Sequence, residues 1–481
     1  MLRWKRRRRG ARQERSTDLD LALHSILPFA GILLGLVVIH ELGHYITAKM
    51  FGVKVLEAGV GLPPKIWGFT WRGTEYTINA LPLGAFVRML GEEDPSDPES
   101  LAAQPKWKRT IIIGSGAVIN LIAAVVLFSV GLMIPHKVSA GGAQIAKVAP
   151  DSPAAHAGLQ PGDQILEING RKADSVQRAS YLIQLGRGSD IDFTVERARP
   201  GAGSEILTKT AYARWNPPTY TDACGVKHTQ GPTGIQIAPV STDPVTRTPE
   251  ETAALEKAAR KSWLAYRKEI PPGAPSWCYA GGDSSAVDFG FRPLTAAQCS
   301  DETGALDPEK AQLKAELFPE SEFPCFEFRP GPAYETKTRT ESFPPWEAFP
   351  RGLQMSFESL ILFRNQVWSW VRGFVSPQVA GPVGIAQATG EVVESEGWLA
   401  LINFAALLSM NLGVFNLLPL PMVDGGRLMF ILIEFLRGGR RIAPQKEALV
   451  HFAGFVAMIL LAVVITYFDI ARIVNGGSLL R

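Results

Sequence analysis

Cysteine is scarce in this 481-residue chain, with 4 residues, and histidine nearly so, with 7. No two cysteines stand as CxxC, which argues against a zinc knuckle. The net charge is only +3, and no basic stripe is interleaved with aromatics, so a nucleic-acid partner is not expected. A DFG triplet at Asp288 has no glycine-rich phosphate loop or catalytic loop to go with it, which excludes a kinase. The first apolar run has a basic start, but no small-residue cleavage site follows it. That speaks against a cleaved signal peptide.

Long apolar runs are what the chain has instead. The mean hydropathy of +0.07 averages two apolar ends with a soluble middle. Four segments reach the roughly 20 apolar residues that a bilayer crossing needs. They are Leu21 to Ala48, the charge-free Thr110 to Ile134, Trp398 to Leu420 and Ala448 to Phe468. The expected order is a basic tail (1–20), a first membrane helix (21–50) and a loop with a β-hairpin (51–109). A second membrane helix (110–135), a soluble α+β domain (138–240) and a proline-rich, cysteine-bearing insertion (241–345) follow. An amphipathic helix (346–375) and membrane helices at 395–428 and 448–470 complete the chain. The hairpin is read from "GTEYTINALPLGAFVRML", Gly73 to Leu90, with its β-prone runs around Leu81-Pro82-Leu83-Gly84. The amphipathic helix carries tryptophans and suits a membrane surface. The insertion shows no clear periodicity and is expected to be irregular. Cys224, Cys278, Cys299 and Cys325 all fall between the second and third membrane segments. Two disulfides fit that placement, and four free or metal-binding thiols remain an alternative.

The stretch "VVIHELGHYITAK" places ionisable groups at the end of an apolar run, where they are costly. On a helix His40 and His44 lie one turn apart on one face, so both imidazoles can reach one ion. Nitrogen donors suit zinc, and Glu41 between them can serve as general base. Gly43 would let another backbone approach closely. Catalytic zinc usually keeps three protein ligands, so a third must come from elsewhere. The candidate is Asp424 in "NLGVFNLLPLPMVDGGRL", just past the third apolar segment. Pro419 and Pro421 cannot continue a regular helix, which forces extended chain there. Irregular backbone at membrane depth survives only against protein or a wet cavity, and Asn416 adds an amide able to pair with another peptide. The first and third membrane segments run in the same direction, since two crossings separate them. Both motifs lie at C-terminal ends, hence near the same face. A pair of polar residues satisfied at the interface is the bland alternative, but intramembrane ionisable groups mark function by default. His24, His136, His156, His228 and His451 are weaker ligand candidates. His451 reads as a packing or interface residue.

Within 138–240, "SPAAHAGLQPGDQILEING" resembles a PDZ domain. The run "TGIQI", with Gly234 and Ile235, is similar to its peptide-binding strand, coming last as in circularly permuted bacterial forms. Peptide would add to that edge beside a helix around Val176 to Gln184. A spacer that binds nothing is the alternative. "HELGH", the hairpin sequence, "GPVGIA" at Gly381 and "NLLPLPMVDGG" together resemble the site-2 protease family of intramembrane zinc metalloproteases, in its RseP-like branch with PDZ domains. The resemblance covers most of the chain except residues 1–20 and 241–345. It implies zinc on His40, His44 and Asp424, water activation by Glu41, and substrate reception by Asn416, Pro419 and Pro421. It also implies substrate held as an added strand on the hairpin. The implied fold class is a multi-pass α-helical membrane protein of four transmembrane helices with a membrane-associated β-hairpin and an inserted extracytoplasmic PDZ-like α+β domain. The implied partners are the lipid bilayer and transmembrane protein substrates, such as an anti-sigma factor or a remnant signal peptide. One PDZ unit instead of two, and the insertion, depart from the family pattern. A membrane PDZ scaffold without proteolytic activity is the alternative function. A metal transporter would need more polar residues along a pore than Asn120 and small serines offer.

Positive charges set the expected orientation in the inner membrane. Lys106, Lys108 and Arg109 precede the second segment, and Arg437, Arg440, Arg441 and Lys446 precede the fourth, which makes both connections cytoplasmic. The soluble domain and its cysteines then lie outside, whereas the tail arginines Arg6 to Arg9 would favour the opposite. Engineered surface cysteines in 138–240 are expected to react with a membrane-impermeant reagent in intact cells. Their protection would reverse the orientation.

Overall fold

The computed structural model describes residues 25–474 apart from 93, 140, 200–202, 222–223, 241–243, 246–247, 271–290, 300–306, 320–322, 329–332, 335–337 and 375–379. The basic tail, Cys278 and Asp288 lie outside the described residues, as do the first residues of the expected first membrane segment.

In chain order, helix α1 (Leu27–Met50) leads into strands β1 (Val55–Trp71) and β2 (Thr74–Met89), then helix α2 (Lys106–Met133). Strands β3 (Ala143–Val148) and β4 (Gln164–Ile168), helix α3 (Val176–Leu185), and strands β5 (Asp190–Arg199), β6 (Gly203–Tyr212) and β7 (Ile235–Pro239) come next. Helix α4 (Pro249–Glu269), strand β8 (Phe291–Leu294), helix α5 (Pro308–Leu317) and strand β9 (Cys325–Phe328) occupy the insertion. Helices α6 (Pro345–Val371), α7 (Pro382–Glu396), α8 (Ala400–Leu417), α9 (Asp424–Leu436) and α10 (Pro444–Val474) close the chain. The chain divides into two compact units, one of residues 1–136, 341–361 and 377–481, the other of residues 137–340 and 362–376.

In the first unit, four helices are long and apolar enough to cross a membrane: Leu27–Met50, Lys106–Met133, Ala400–Leu417 and Gln445–Val474. The most apolar window of α10 buries none of its residues against protein. Phe452, Leu460, Leu461, Val463 and Phe468 point outward, a surface that suits lipid and not water. The third membrane helix, expected over 395–428, is shorter: α8 stops at Leu417. Leu418 is extended (φ −66°, ψ 143°), because Pro419 and Pro421 supply no amide proton to continue the ladder. A separate helix, α9, then begins at Asp424.

The hairpin is larger than its sequence suggested. It turns at Arg72 and Gly73, both at positive φ (47° and 75°), which suits a tight two-residue connection. Residues 81–84 lie within β2, where the register shifts repeatedly, so that Ala58 faces Val87 on one side and Tyr76 on the other. Residues 55–71 were not foreseen as strand, their prolines and glycines masking the pattern.

A buried cluster of Ala48, Val53, Val55, Met89, Leu101, Ile112, Ile113 and Ile431 ties the end of α1, the hairpin base, the start of α2 and α9 together. Beside it, Arg109 pairs with the buried Glu434 at 2.8 Å, and Arg441 reaches the same carboxylate at 3.4 Å. Basic residues from the first turn of α2 and from the connection before α10 therefore meet at one end of the helices, as a single membrane side requires.

In the second unit the main sheet runs β7-β3-β4-β5-β6, with the short Arg171–Lys172 strand also on β4. Ile145, Ile165, Ile168, Ile191, Phe193 and Val195 pack under Ala179, Leu182 and Ile183 of α3. Arg197 closes the rim with a 2.7 Å ion pair to the buried Asp163. The insertion is not irregular throughout. Trp263 of α4, Phe291 of β8, Leu313 and Leu317 of α5, Phe318 just after α5, and Phe326 of β9 form a core of their own. A Cys299–Cys325 disulfide joins the segment after β8 to β9, and Cys224 is also disulfide-bonded. This core draws one or two residues from each of several elements, so no local periodicity announces it.

Candidate metal centre

Three side chains from two distant segments converge at the C-terminal half of α1. His40 Nε2 lies 3.1 Å from Asp424 Oδ2, and His44 Nε2 lies 3.2 Å from the same oxygen. The two Nε2 atoms are 3.2 Å apart. Both histidines are buried, and Asp424 Oδ2 is enclosed without a hydrogen-bond partner among the described residues. One ligand atom from each of the three lies within 4.8 Å of the others, a group that could hold a metal ion. Two imidazole nitrogens and one carboxylate oxygen match the three-residue donor set of catalytic zinc. A buried carboxylate oxygen facing two ring nitrogens is also what a cation would satisfy.

The local sequence explains each placement. The four-residue spacing of His40 and His44 on α1 stacks them on one face. Asp424 is the first residue of α9, where the positive end of the helix favours a carboxylate. Gly425 and Gly426 permit that approach, since a Cβ on Gly425 would lie 2.0 Å from the Leu418 oxygen and one on Gly426 2.4 Å from the Leu420 oxygen. Met422 holds a positive φ of 88°, rare for a side-chain-bearing residue. Its N–H donates to His451 Nδ1 at 3.1 Å, so His451 braces the break in the chain.

Helix α2 forms the wall behind the imidazoles. Gly43 brings the backbones together as its position suggested: a Cβ there would sit 2.6 Å from the Ser115 oxygen. His44 Nδ1 donates to the Ile112 carbonyl at 2.8 Å, which leaves its Nε2 lone pair facing the site. Thr47 and Ser115 hydroxyls pair at 2.9 Å to lock the two helices in register. Glu41 interacts electrostatically with His40, His44 and Asp424, and its carboxylate accepts a hydrogen bond from the Val87 backbone on β2. The hairpin and the glutamate are thus directly linked.

The substrate-side residues are less uniform. Asn416 donates one Nδ2 hydrogen to the Leu412 carbonyl of its own helix at 3.0 Å, which leaves the second hydrogen and Oδ1 for pairing with another peptide. Pro419 and Pro421 lie in the break between α8 and α9. Gly234, at φ 84°, and Ile235 belong to the second unit, where β7 forms the sheet edge and Ile235 pairs with Val148. Reading the sequence did not single out Gly116, Ile112 or Val87. Gly116 stands four residues before Asn120 on α2, a same-face pair in a helix of otherwise apolar character, and that was the available signal.

Two imidazoles, a carboxylate and a neighbouring glutamate carried on apolar helices define the class: a membrane metallohydrolase. Residues 28–461 match Peptidase family M50, and the chain belongs to that family, that of the site-2 proteases and zinc metalloproteases. A Thermotoga maritima protein provisionally named a zinc metalloprotease is 28% identical over 94% of this chain and 99% of its own length. A Rhizobium meliloti protein of similar provisional name is 25% identical over 94% and 98%. The regulator of sigma E protease of Salmonella typhi is 29% identical over 91% and 96%.

Gly116 supplies the test of this geometry. A Cβ there would lie 2.4 Å from His44 Nε2 and 2.7 Å from His40 Cε1. Gly116→Ala is expected to weaken zinc binding by about tenfold or more while α-helical content stays unchanged. Wild-type zinc affinity in that variant would contradict the placement of the imidazoles against α2.

Proposed function

We propose that this chain hydrolyses a peptide bond within or near the transmembrane segment of a membrane-protein substrate, as an intramembrane zinc metalloendopeptidase. The observation that carries the reading is the single Asp424 oxygen set 3.1 and 3.2 Å from two imidazole nitrogens of α1, with Glu41 beside them. His40, His44 and Asp424 would hold the metal. Zinc bound there supplies a Lewis acid for the scissile carbonyl and lowers the pKa of water to about 7. Glu41 takes the proton of the attacking water and delivers it to the leaving amine, so that one carboxylate serves both halves of the reaction.

A peptide bond in a membrane helix is shielded by its own hydrogen bonding, so the substrate must unwind. The break at Pro419 to Met422 supports local reception of an unwound segment, and Asn416, with one N–H given to Leu412, would offer its second N–H and its Oδ1 to substrate. The hairpin supports capture of that segment as an added strand, because Val87 of β2 touches Glu41. Substrates with helix-breaking residues near the cleavage point unwind at lower cost and are the preferred class. The Salmonella relative is named a regulator of sigma E protease, which supports substrates that control a sigma factor; an anti-sigma factor and a remnant signal peptide are the candidates that the family resemblance implies.

The β7 edge beside α3, with Gly234 and Ile235 at its start, supports a PDZ-like groove for an extended peptide. The basic residues before the second and fourth membrane segments support an outward-facing position for that domain at the inner membrane.

Glu41→Gln decides the chemical assignment. The variant is expected to bind zinc as the wild type does and to lose at least about a hundredfold in cleavage of a transmembrane-segment substrate. Normal proteolysis by the purified variant would refute the role of Glu41.

A further inference from the structure

Asn120 is fully buried on α2, in a helix without other side-chain amides. Its backbone oxygen accepts from the Ser409 hydroxyl at 2.8 Å, which fixes its position against α8. Its side-chain amide faces His40, with Nδ2 3.4 Å from Nδ1 of the ring. Its Oδ1 is enclosed and has no hydrogen-bond partner among the described residues. This orientation sets a donor against Nδ1, which would oblige the ring to keep its proton on Nε2. Nε2 is the atom that faces Asp424 and His44.

A ligand nitrogen must carry a free lone pair, so a histidine that binds through Nε2 holds its proton on Nδ1 and donates it elsewhere. His44 already does so, to the Ile112 carbonyl. His40 has only the Asn120 amide opposite its Nδ1 in the hydrogen bonds of the described residues. The two ends of an amide exchange places by a half-turn about the last side-chain bond. That half-turn gives the orphaned Oδ1 a donor and the ring an acceptor at once.

Resting on the metal-site reading above, we propose that Asn120 is a positioning residue for His40, accepting its Nδ1–H through Oδ1 and so holding Nε2 free for the metal. Helix α2 then supports both imidazoles, one through a backbone carbonyl and one through a side-chain amide. The role requires an acceptor at this point and not merely a residue of that size.

The test compares Asn120→Leu, of similar volume but without an acceptor, with Asn120→Asp, which keeps one. Zinc affinity of the purified full chain in detergent is measured by chelator competition, and the visible spectrum of the cobalt-loaded protein reports ligand geometry. Asn120→Leu is expected to bind zinc about 10- to 100-fold more weakly with an altered cobalt spectrum. Asn120→Asp is expected to keep both close to wild type, and thermal unfolding in excess chelator is expected to be alike for all three. Wild-type affinity in Asn120→Leu, or a loss in Asn120→Asp as large as in Asn120→Leu, would overturn the role. If Asn120→Leu fails to fold, Asn120→Asp alone decides, a tenfold loss counting against the proposal. A wild-type chain that takes up no zinc would remove the metal-site reading itself, an outcome distinct from an unaffected variant.

Discussion

One carboxylate oxygen held between two imidazole nitrogens is the constraint on which the rest of the first unit depends. Asp424 Oδ2 and the Nε2 atoms of His40 and His44 come from segments nearly four hundred residues apart, and all three are poorly exposed. Removing such groups from water is costly unless they share a partner, so the helices that carry them must be held to within fractions of an ångström. The glycines at the contacts do this. Gly43 lets α1 lie on the Ser115 backbone, and Gly116 leaves the space that the two rings occupy. The apolar cluster around Ala48, Ile112 and Ile431 keeps the same three elements together below the site.

The break between α8 and α9 delivers the third ligand and also shapes the path to it. Pro419 and Pro421 stop the helix, Met422 turns at positive φ, and Gly425 and Gly426 fold the new helix start against the Leu418 and Leu420 carbonyls. Gly454 on α10 completes the arrangement, since a Cβ there would lie 2.3 Å from the Pro421 ring. A second carboxylate works in a related way at the far end of α10. Asp469, fully buried, accepts the N–H groups of Gly381 and Gly384 at 2.9 and 2.8 Å and pairs with Arg472 at 2.6 Å. It caps α7 from another helix and explains why "GPVGIA" needs its glycines, since a Cβ on either would press on that carboxylate.

The histidine spacing, the glutamate between the rings and the candidate third ligand could be read directly from residues 40–44 and 416–424, because each is a local pattern with a chemical meaning. The shared face followed from counting membrane crossings. What stayed hidden was non-local. The strand character of residues 55–71 depends on pairing with β2, and its Pro63 and Pro64 argue locally against it. The aromatic core of the insertion joins Trp263 to Phe326 across elements with no common period. The start of α7 is held by Asp469 from a distant helix, and the bond from Val87 to Glu41 exists only once the hairpin has folded beside α1.

The central claim is that one metal ion is gripped by His40, His44 and Asp424. Zinc K-edge absorption spectroscopy on the purified, metal-loaded chain tests it most directly. The account predicts a single zinc with nitrogen and oxygen neighbours at about 2.0–2.2 Å, two of them showing imidazole scattering, and no sulfur. A sulfur shell at about 2.3 Å, or zinc with no imidazole neighbour, would contradict it.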